Sequence, residues 1–161
     1  GAIVGTKGEQ KIQGNQFLWY DKKVSDFKLT LKVKQVPFAA NAGIQFRSMR
    51  EPNGHAIGYQ ADIGVAWDRP VWGALYDESR RRKMLAEPGA DLGKKLVKTG
   101  QWNAMRVICK GPRIQIFVNG ERTVDYTEVD DSVPRHGKIG LQIHSGQPTE
   151  AWYRNIRVRQ L

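Results

Sequence analysis

Strict alternation of apolar and polar residues is the feature that most constrains how this chain can fold. Between Asp26 and Val33 every second residue is apolar, and the residues between them are Lys or Thr. A period of two puts the apolar side chains on one face of a β-strand and the polar ones on the other. Comparable runs recur, and the predicted strands cover residues 1–6, 16–20, 26–33, 42–49, 58–63, 102–110, 113–118, 121–126, 137–144 and 151–161.

Short strands joined by turn residues predict an all-β fold. Asn119-Gly120 stands between two apolar runs, which is a strong signal for a two-residue hairpin. No stretch predicts a long helix, and the polar segment that ends at Gly93 is interpreted as an excursion loop. We therefore predict one domain over residues 1–161, an antiparallel two-sheet β-sandwich of the jelly-roll type with one concave face.

Charge and hydropathy narrow the range of partners. The 161-residue chain has a formal net charge of +10, and its basic residues are spread widely, with Lys28, Lys32, Lys34, Arg106, Lys110, Arg157 and Arg159 on strands where they alternate with apolar residues. This pattern indicates a solvated sheet face, and the run Arg80–Lys83 is typical of a solvated loop. We predict no nucleic-acid partner. No stretch approaches the roughly 20 apolar residues of a membrane span, and the single Cys109 predicts a buried thiol.

Motifs for cofactor chemistry are missing from the sequence. It contains neither a Gly-rich dinucleotide loop nor a Walker-type loop, and no Gly-x-Ser-x-Gly elbow. Its three histidines and one cysteine lack metal-ligand spacing. We predict no cofactor, and leave open a structural Ca²⁺ with oxygen ligands from Asp130-Asp131 or from the loop near Asp68.

The segment Gly58–Lys83 holds most of the residues suited to a polar ligand. Gln60 and Asp62 alternate with apolar residues, so their side chains point away from the core. Two indoles, a phenol and a carboxylate follow at Trp67, Trp72, Tyr76 and Glu78. Aromatic rings cover the C–H faces of a sugar, while carboxylates and amides bind its hydroxyls. The segment indicates a carbohydrate site, with a plain surface strand and a long loop as the alternative.

Polar residues on two further strands fit the same surface. Arg47 lies in the strand over residues 42–49, and Gln142 and His144 lie in the strand over residues 137–144. Arg47 follows Ile44 and Phe46 in their alternation, and Gln142 and His144 alternate with Leu141 and Ile143. If these strands share a sheet with residues 58–63, their polar side chains converge on its concave face.

Seven short motifs in a fixed order resemble a known family. They are GIQFRS (43–48), GYQADI (58–63), WGALYDE (72–78), QWNAMRVICKG (101–111), FVNG (117–120), GKIGLQIHSG (137–146) and YRNIRV (153–158). Together they resemble the 3-keto-disaccharide hydrolase domain family, formerly a domain of unknown function. The resemblance implies a concanavalin A-like jelly roll and, because members are typically exported bacterial proteins, an extracytoplasmic location, periplasmic or secreted. Many members have Glu and Gln where this chain has Gln60 and Asp62, and His where it has Ile116.

The resemblance also implies an activity, cleavage of 3-keto-glycosides. A carbonyl at C3 acidifies the proton on C2, and elimination followed by hydration then breaks the bond at C1. For this reaction we predict His144 as the base, with Asp62 as a rival base or as the group that orients His144. Glu78 is the predicted acid. The predicted substrate-binding residues are Arg47 and Tyr76 for enolate or hydroxyl oxygens, Gln60 and Gln142 for hydroxyls, and Trp67 and Trp72 for the sugar face.

Each of these roles has a structural alternative. Asp62 is also a candidate partner for Arg47, and Glu78 is a candidate partner for Arg80 or Arg81. His144 is equally a polar sheet-face residue bound to a neighbour, and the two tryptophans are equally loop-packing hydrophobes. The alternative function is a non-catalytic, lectin-like carbohydrate-binding module, because the same sandwich with aromatic residues and carboxamides makes lectins, and the departures at Gln60 and Ile116 favour it. The sequence gives no indication of the oligomeric state.

Overall fold

The computed structural model describes the backbone of residues 1–161 and the side chains of residues 1–89, 91–92 and 95–161. The strands are β1 (Ile3–Thr6), β2 (Gln16–Val24), β3 (Phe27–Val36), β4 (Asn41–Arg50), β5 (Ala56–Ala66), β6 (Arg69–Pro70), β7 (Leu75–Glu78), β8 (Lys83–Ala86), β9 (Asn103–Lys110), β10 (Arg113–Val118), β11 (Glu121–Thr127), β12 (Gly137–Ile143) and β13 (Glu150–Gln160). A short helix, α1 (Ala90–Leu96), lies between β8 and β9.

The strands form two antiparallel sheets that face each other, so the predicted β-sandwich is confirmed. The six-stranded sheet has the order β1-β13-β3-β9-β10-β11. The seven-stranded sheet has the order β2-β12-β4-β5-β7-β8, and β6 pairs with β5 beside this path. Strands adjacent in sequence are therefore often far apart in the sheets, and β12 comes to lie beside β4.

The core lies between the sheets and follows the alternation of the sequence. Phe27, Leu29, Leu31 and Val33 of β3 are buried, and Phe27 makes an edge contact with Phe46 of the opposite sheet at a centroid distance of 6.2 Å. On β5 the residues Tyr59, Ala61 and Ile63 belong to the same core. Because side chains alternate along a strand, the polar residues between them face outward from the seven-stranded sheet.

The hairpin predicted at Asn119-Gly120 is confirmed, since it joins β10 to β11. Both residues have positive φ, 50° and 97°, as a two-residue type I′ turn requires. The expectation of an excursion loop up to Gly93 was wrong, because the segment contains β6, β7, β8 and α1. These elements have two to seven residues each, too few to show a clear period.

Candidate functional site

A polar pocket of about 320 Å³ opens on the outer face of the seven-stranded sheet. Its lining residues are Asn15, Asn41, Gln60, Asp62, Val65, Ala66, Trp67, Tyr76, Glu78 and His144. The volume is at the low end of the range for small-molecule sites. The pocket brings together the three residues predicted for acid–base chemistry, His144, Asp62 and Glu78, and three predicted for substrate binding, Gln60, Tyr76 and Trp67.

Strand register explains why these residues meet. Gln60 of β5 lies opposite Gln45 of β4 on one side and opposite Tyr76 of β7 on the other. Glu78 is two residues beyond Tyr76 and lies opposite Gly58. Residues directly opposite each other project from the same face of a sheet. The outer face therefore presents an amide, a phenol and a carboxylate next to one another.

A chain of hydrogen bonds holds Asp62 at the base of the pocket. The Ser48 hydroxyl donates to Gln45 Oε1 at 2.8 Å, Gln45 Nε2 donates to Gln60 Oε1 at 2.7 Å, and Gln60 Nε2 donates to Asp62 Oδ1 at 2.7 Å. Gly43 makes room for this chain, because a Cβ atom there would lie 2.3 Å from Cδ of Gln60. Gln60 is thus a support for Asp62, with one amide proton left for a ligand.

Burial gives Asp62 an unusual titration. Its exposed fraction is 3%, and this burial raises the pKa of the Asp62 carboxyl to about 7. The hydrogen bond from Gln60 acts in the opposite direction, and the nearby Glu78 carboxylate adds to the increase. A carboxyl group with a pKa close to neutrality exchanges protons readily at physiological pH, as general acid–base catalysis requires.

His144 follows the last residue of β12 and is held by its own backbone neighbour. Its Nδ1 lies 2.7 Å from the carbonyl oxygen of Ser145, while Asn15 Oδ1 accepts a hydrogen bond from Ser145 N at 2.8 Å. A carbonyl oxygen can only accept, so Nδ1 carries the proton and Nε2 of the neutral ring is left as an acceptor. These contacts do not support the expectation that Asp62 orients His144. The His144 ring is bound by the backbone of Ser145, and the Asp62 carboxylate is bound by Gln60.

Glu78 faces the pocket and is not paired with the neighbouring arginines. Arg80 and Arg81 both bind Asp77, and Arg81 also binds Glu128 at 2.6 Å. The predicted alternative, an ion pair between Glu78 and one of these arginines, is therefore replaced by pairs with Asp77 on the opposite face of β7. Burial raises the pKa of Glu78, and the nearby His144 acts against this increase.

An aromatic wall closes one side of the pocket. Trp67, at the turn between β5 and β6, has an exposed fraction of 63% and lies 5.9 Å from Tyr76 between ring centroids. Its φ of 47° places it in the left-handed region. Partial burial and the nearby carboxylates Glu78 and Asp62 raise the pKa of the Tyr76 phenol. Tyr76 is therefore a hydrogen-bond donor across the neutral range, beside an open indole face.

Arg47 does not reach the pocket, which corrects the expectation from strand alternation. Its guanidinium donates to the carbonyl oxygens of Ser25 and Gly111, at 2.9 and 2.8 Å, and binds Asp26 at 3.0 Å. The pairing of β4 with β5 shifts register between Phe46 and Met49, and Arg47 has a φ of 46°. This bulge turns the side chain to the inner side, where it joins both sheets.

Trp72 and Gln142 are also placed differently from expectation. Trp72 has an exposed fraction of 1% and stacks on Phe38, so it is a core residue and cannot cover a sugar ring. Gln142 is buried opposite Gly43 and Phe17 and is not among the residues that line the pocket. Alternation gave the correct face for Gln142, but the packing around it excludes direct access.

Two polar lining residues were missed by the sequence reasoning. Asn15 precedes β2 and Asn41 is the first residue of β4, and both line the pocket. Asn41 Nδ2 donates to the carbonyl oxygen of Val65 at 3.1 Å, which ties the start of β4 to the end of β5. Residues at strand ends have no alternating neighbours on both sides, so the period-two pattern gives no signal for them.

The carboxylates of the acidic loop after β11 are bound by residues of the same loop. Asp130 accepts hydrogen bonds from the backbone and hydroxyl of Ser132, and Asp131 pairs with Arg135. Among the side chains that the structure describes, no group of three or more His, Cys, Asp or Glu is arranged to hold a metal ion. In the described part of the chain, no helix has the length and apolar character needed to cross a bilayer.

The chain belongs to the family of 3-keto-alpha-glucoside-1,2-lyase-like domains, whose model matches residues 1–159. This confirms the family suggested by the ordered motifs. No curated protein sequence matches the chain significantly.

Solved structures with the same fold include carbohydrate-binding proteins. The carbohydrate-binding module CBM66 from Bacillus subtilis is 16% identical, with a TM-score of 0.69 over 99% of this chain and 92% of that one. A tetrameric galectin from the ball sponge Cinachyrella sp. is 15% identical, with a TM-score of 0.57 over 89% and 98% of the two chains. A structure reported with endo-acting O-glycanases of the human gut microbiota is 12% identical, with a TM-score of 0.61 over 99% and 79%. At these identities the similarity shows the jelly-roll fold.

Proposed function

We propose that this domain cleaves 3-keto-glycosides by abstraction of the C2 proton, elimination at C1 and addition of water. The observation that carries the proposal is the convergence of His144, Asp62 and Glu78 on one polar pocket. Membership of the 3-keto-alpha-glucoside-1,2-lyase-like family supports the same chemistry. The pocket volume of about 320 Å³ suits one sugar ring with its linkage near the mouth.

His144 is the proposed base. Its Nδ1 bond to Ser145 leaves Nε2 free to accept the C2 proton, and the electron pair of the broken C–H bond moves into an enolate with oxygen on C3. The enolate then expels the substituent at C1, whose oxygen takes a proton from Glu78. Water adds to C1 and a proton returns to C2, so one water molecule is consumed for each bond cleaved.

Tyr76 and Gln60 supply donors for oxygens that become negative during this sequence. The Tyr76 phenol keeps its proton because its pKa is raised, and Gln60 retains one amide proton after binding Asp62. Donors aimed at a developing enolate oxygen lower the barrier to its formation. Asp62 is the rival base, since its pKa of about 7 also allows proton uptake near neutrality.

Product analysis tests the proposal directly. The protein is incubated with a 3-keto-disaccharide and, separately, with the same disaccharide unoxidised, and released monosaccharide is measured by chromatography. Only the 3-keto substrate should be cleaved, because only its C2 proton is acidified. Cleavage of both substrates at equal rates, or of neither, contradicts the proposal. A primary isotope effect with substrate deuterated at C2 would identify proton abstraction as a slow step.

A non-catalytic carbohydrate-binding module is the second candidate. The exposed indole of Trp67 beside a polar pocket is favourable for sugar binding without chemistry. Calorimetry with neutral oligosaccharides, performed with the same preparation as the cleavage assay, separates the two functions. Binding without turnover of any 3-keto sugar favours the module.

We also propose that the protein acts outside the cytoplasm, as do the exported members of the family that its motifs resemble. Fractionation of cells that produce the protein, followed by immunoblotting, tests this location. Recovery in the cytoplasmic fraction alone would contradict it.

A further inference from the structure

The outer face of the six-stranded sheet carries a group of cations without anionic partners. This basic face comprises Lys28, Lys32, Arg106, Arg154, Arg157 and Arg159, on the adjacent strands β3, β9 and β13. Among the described side chains none of these six forms an ion pair. The carboxylate of Asp125, on the more distant β11, is bound by Arg113 and Arg122. The charge of the basic face is therefore not neutralised within the described part of the chain.

Strand register places several of these cations directly opposite each other. Arg154 of β13 lies opposite Lys32 of β3, and Arg159 lies opposite Lys28. Like charges at directly opposite positions of antiparallel strands destabilise the pair. An external anion that binds between the strands would remove this repulsion and so bind favourably.

Two of the arginines are fixed in position by stacking on aromatic rings, which favours binding of such an anion. The guanidinium carbon of Arg106 lies 3.9 Å from the ring centroid of Phe117, and that of Arg154 lies 4.0 Å from Trp102. The Nε atom of each is buried and lacks a hydrogen-bond partner within the described residues. With Nε buried, the two terminal Nη groups of a stacked guanidinium are the ones available for two-point binding of a carboxylate or sulfate group.

A cavity lies in the middle of the basic face. Its volume is about 360 Å³, and Lys32, Arg106 and Arg157 contribute to its lining. Thr30 and Asn155 line the same cavity and provide a hydroxyl and an amide. This combination fits a sugar unit that carries an acidic group, because the cations bind the anion while the neutral polar groups bind hydroxyls.

We propose that the basic face binds an anionic polysaccharide, one whose sugars carry carboxylate or sulfate groups. Single-stranded nucleic acid is less favoured, because a guanidinium already lies over one face of the Phe117 ring and one face of the Trp102 ring, which leaves less aromatic surface for base stacking. The basic face and the polar pocket lie on opposite outer faces of the sandwich. A bound polyanion therefore leaves the pocket open, and the inference does not depend on its chemistry.

Dextran sulfate and unmodified dextran provide a matched pair of probes, since they share a backbone and differ in charge. Binding is measured by calorimetry for the native protein, for the double variant Arg106→Gln/Arg157→Gln, and for the control Lys22→Gln/Lys23→Gln. The control removes the same charge from exposed positions of β2 in the other sheet. Polygalacturonate replaces sulfate by carboxylate, and a single-stranded oligonucleotide tests the competing polymer class.

The native protein should bind dextran sulfate or polygalacturonate and should not bind dextran. The affinity of Arg106→Gln/Arg157→Gln should fall about tenfold or more, since each guanidinium makes charge-assisted hydrogen bonds. The Lys22→Gln/Lys23→Gln control should stay within about threefold of native, the loss expected from long-range charge alone. Circular dichroism confirms that both variants are folded.

Four results would overturn the inference. They are no binding of either polyanion by the native protein, equal losses in the two double variants, unchanged binding in Arg106→Gln/Arg157→Gln, and tighter binding of the oligonucleotide than of either polysaccharide at the same salt concentration. Equal losses would mean that only net charge attracts the polymer. A preference for the oligonucleotide would assign the face to nucleic acid.

Discussion

Substitution of Asp62 by Asn should change how the stability of the fold depends on pH. The Asp62 carboxyl is buried and receives a hydrogen bond from Gln60, and an asparagine oxygen can accept the same bond. The substitution keeps the shape and removes the ionisation. Any difference in pH dependence between the two proteins therefore reports the burial of this one charge.

The magnitude follows from the pKa of Asp62, which burial raises from 3.8 in the unfolded chain to about 7 in the fold. A raised folded pKa means that the fold prefers the protonated form, so the stability from this group is complete below pH 3.8 and is lost as the pH rises through 7. Between about pH 5 and pH 8 the loss is about two pKa units, or about 2–3 kcal/mol. Asp62→Asn should not show this loss.

Urea denaturation of both proteins at several pH values measures the difference. The gap in unfolding free energy between Asp62→Asn and native should widen by about 2–3 kcal/mol from about pH 5 to about pH 8. Asp21→Asn, at a carboxylate whose side chain is 96% exposed, serves as the control and should keep the native pH dependence. A gap that does not change with pH would show that Asp62 is not a buried carboxyl with a pKa close to neutrality. It would also remove the reason to regard Asp62 as a rival base.

Further substitutions test the site and its supports. His144→Ala should lower the rate of 3-keto-glycoside cleavage about 10²- to 10⁴-fold with little change in the unfolding midpoint, and full activity would exclude His144 as the base. Gly43→Ala should displace the Gln60 amide, because a new Cβ would lie 2.3 Å from its Cδ, and should therefore lower activity although residue 43 has no functional group. Unchanged kinetics would show that Asp62 does not need the support of Gln60. Trp67→Ala should raise KM about three- to tenfold without loss of stability, because the ring is exposed, and an unchanged KM would remove its role as a sugar platform. Arg47→Ala should destabilise the fold by about 3 kcal/mol in urea denaturation and leave KM unchanged, whereas a changed KM would return Arg47 to the site.

Alternation along the strands was sufficient to predict much of this protein. It gave the all-β sandwich and the inward face of β3, because a period of two has only one consistent burial pattern in a half-buried sheet. It also placed Gln60, Asp62 and His144 on the outer face of their strands. The seven ordered motifs were sufficient to indicate the family, because their order and spacing along the chain are themselves properties of the sequence.

Tertiary structure alone decided which polar residues reach the pocket. A period of two placed Arg47 with Gln45 on the face opposite Ile44 and Phe46, but the bulge after Phe46 and a φ of 46° turn it towards Asp26 and Gly111. These partners are distant in sequence, so no local pattern predicts the bulge. In the same way the stacking of Trp72 on Phe38 and the ion pair of Arg81 with Glu128 depend on contacts between residues that are distant in sequence. The period of a strand determines the face on which a side chain lies. The tertiary contacts of that side chain determine whether it can reach a ligand.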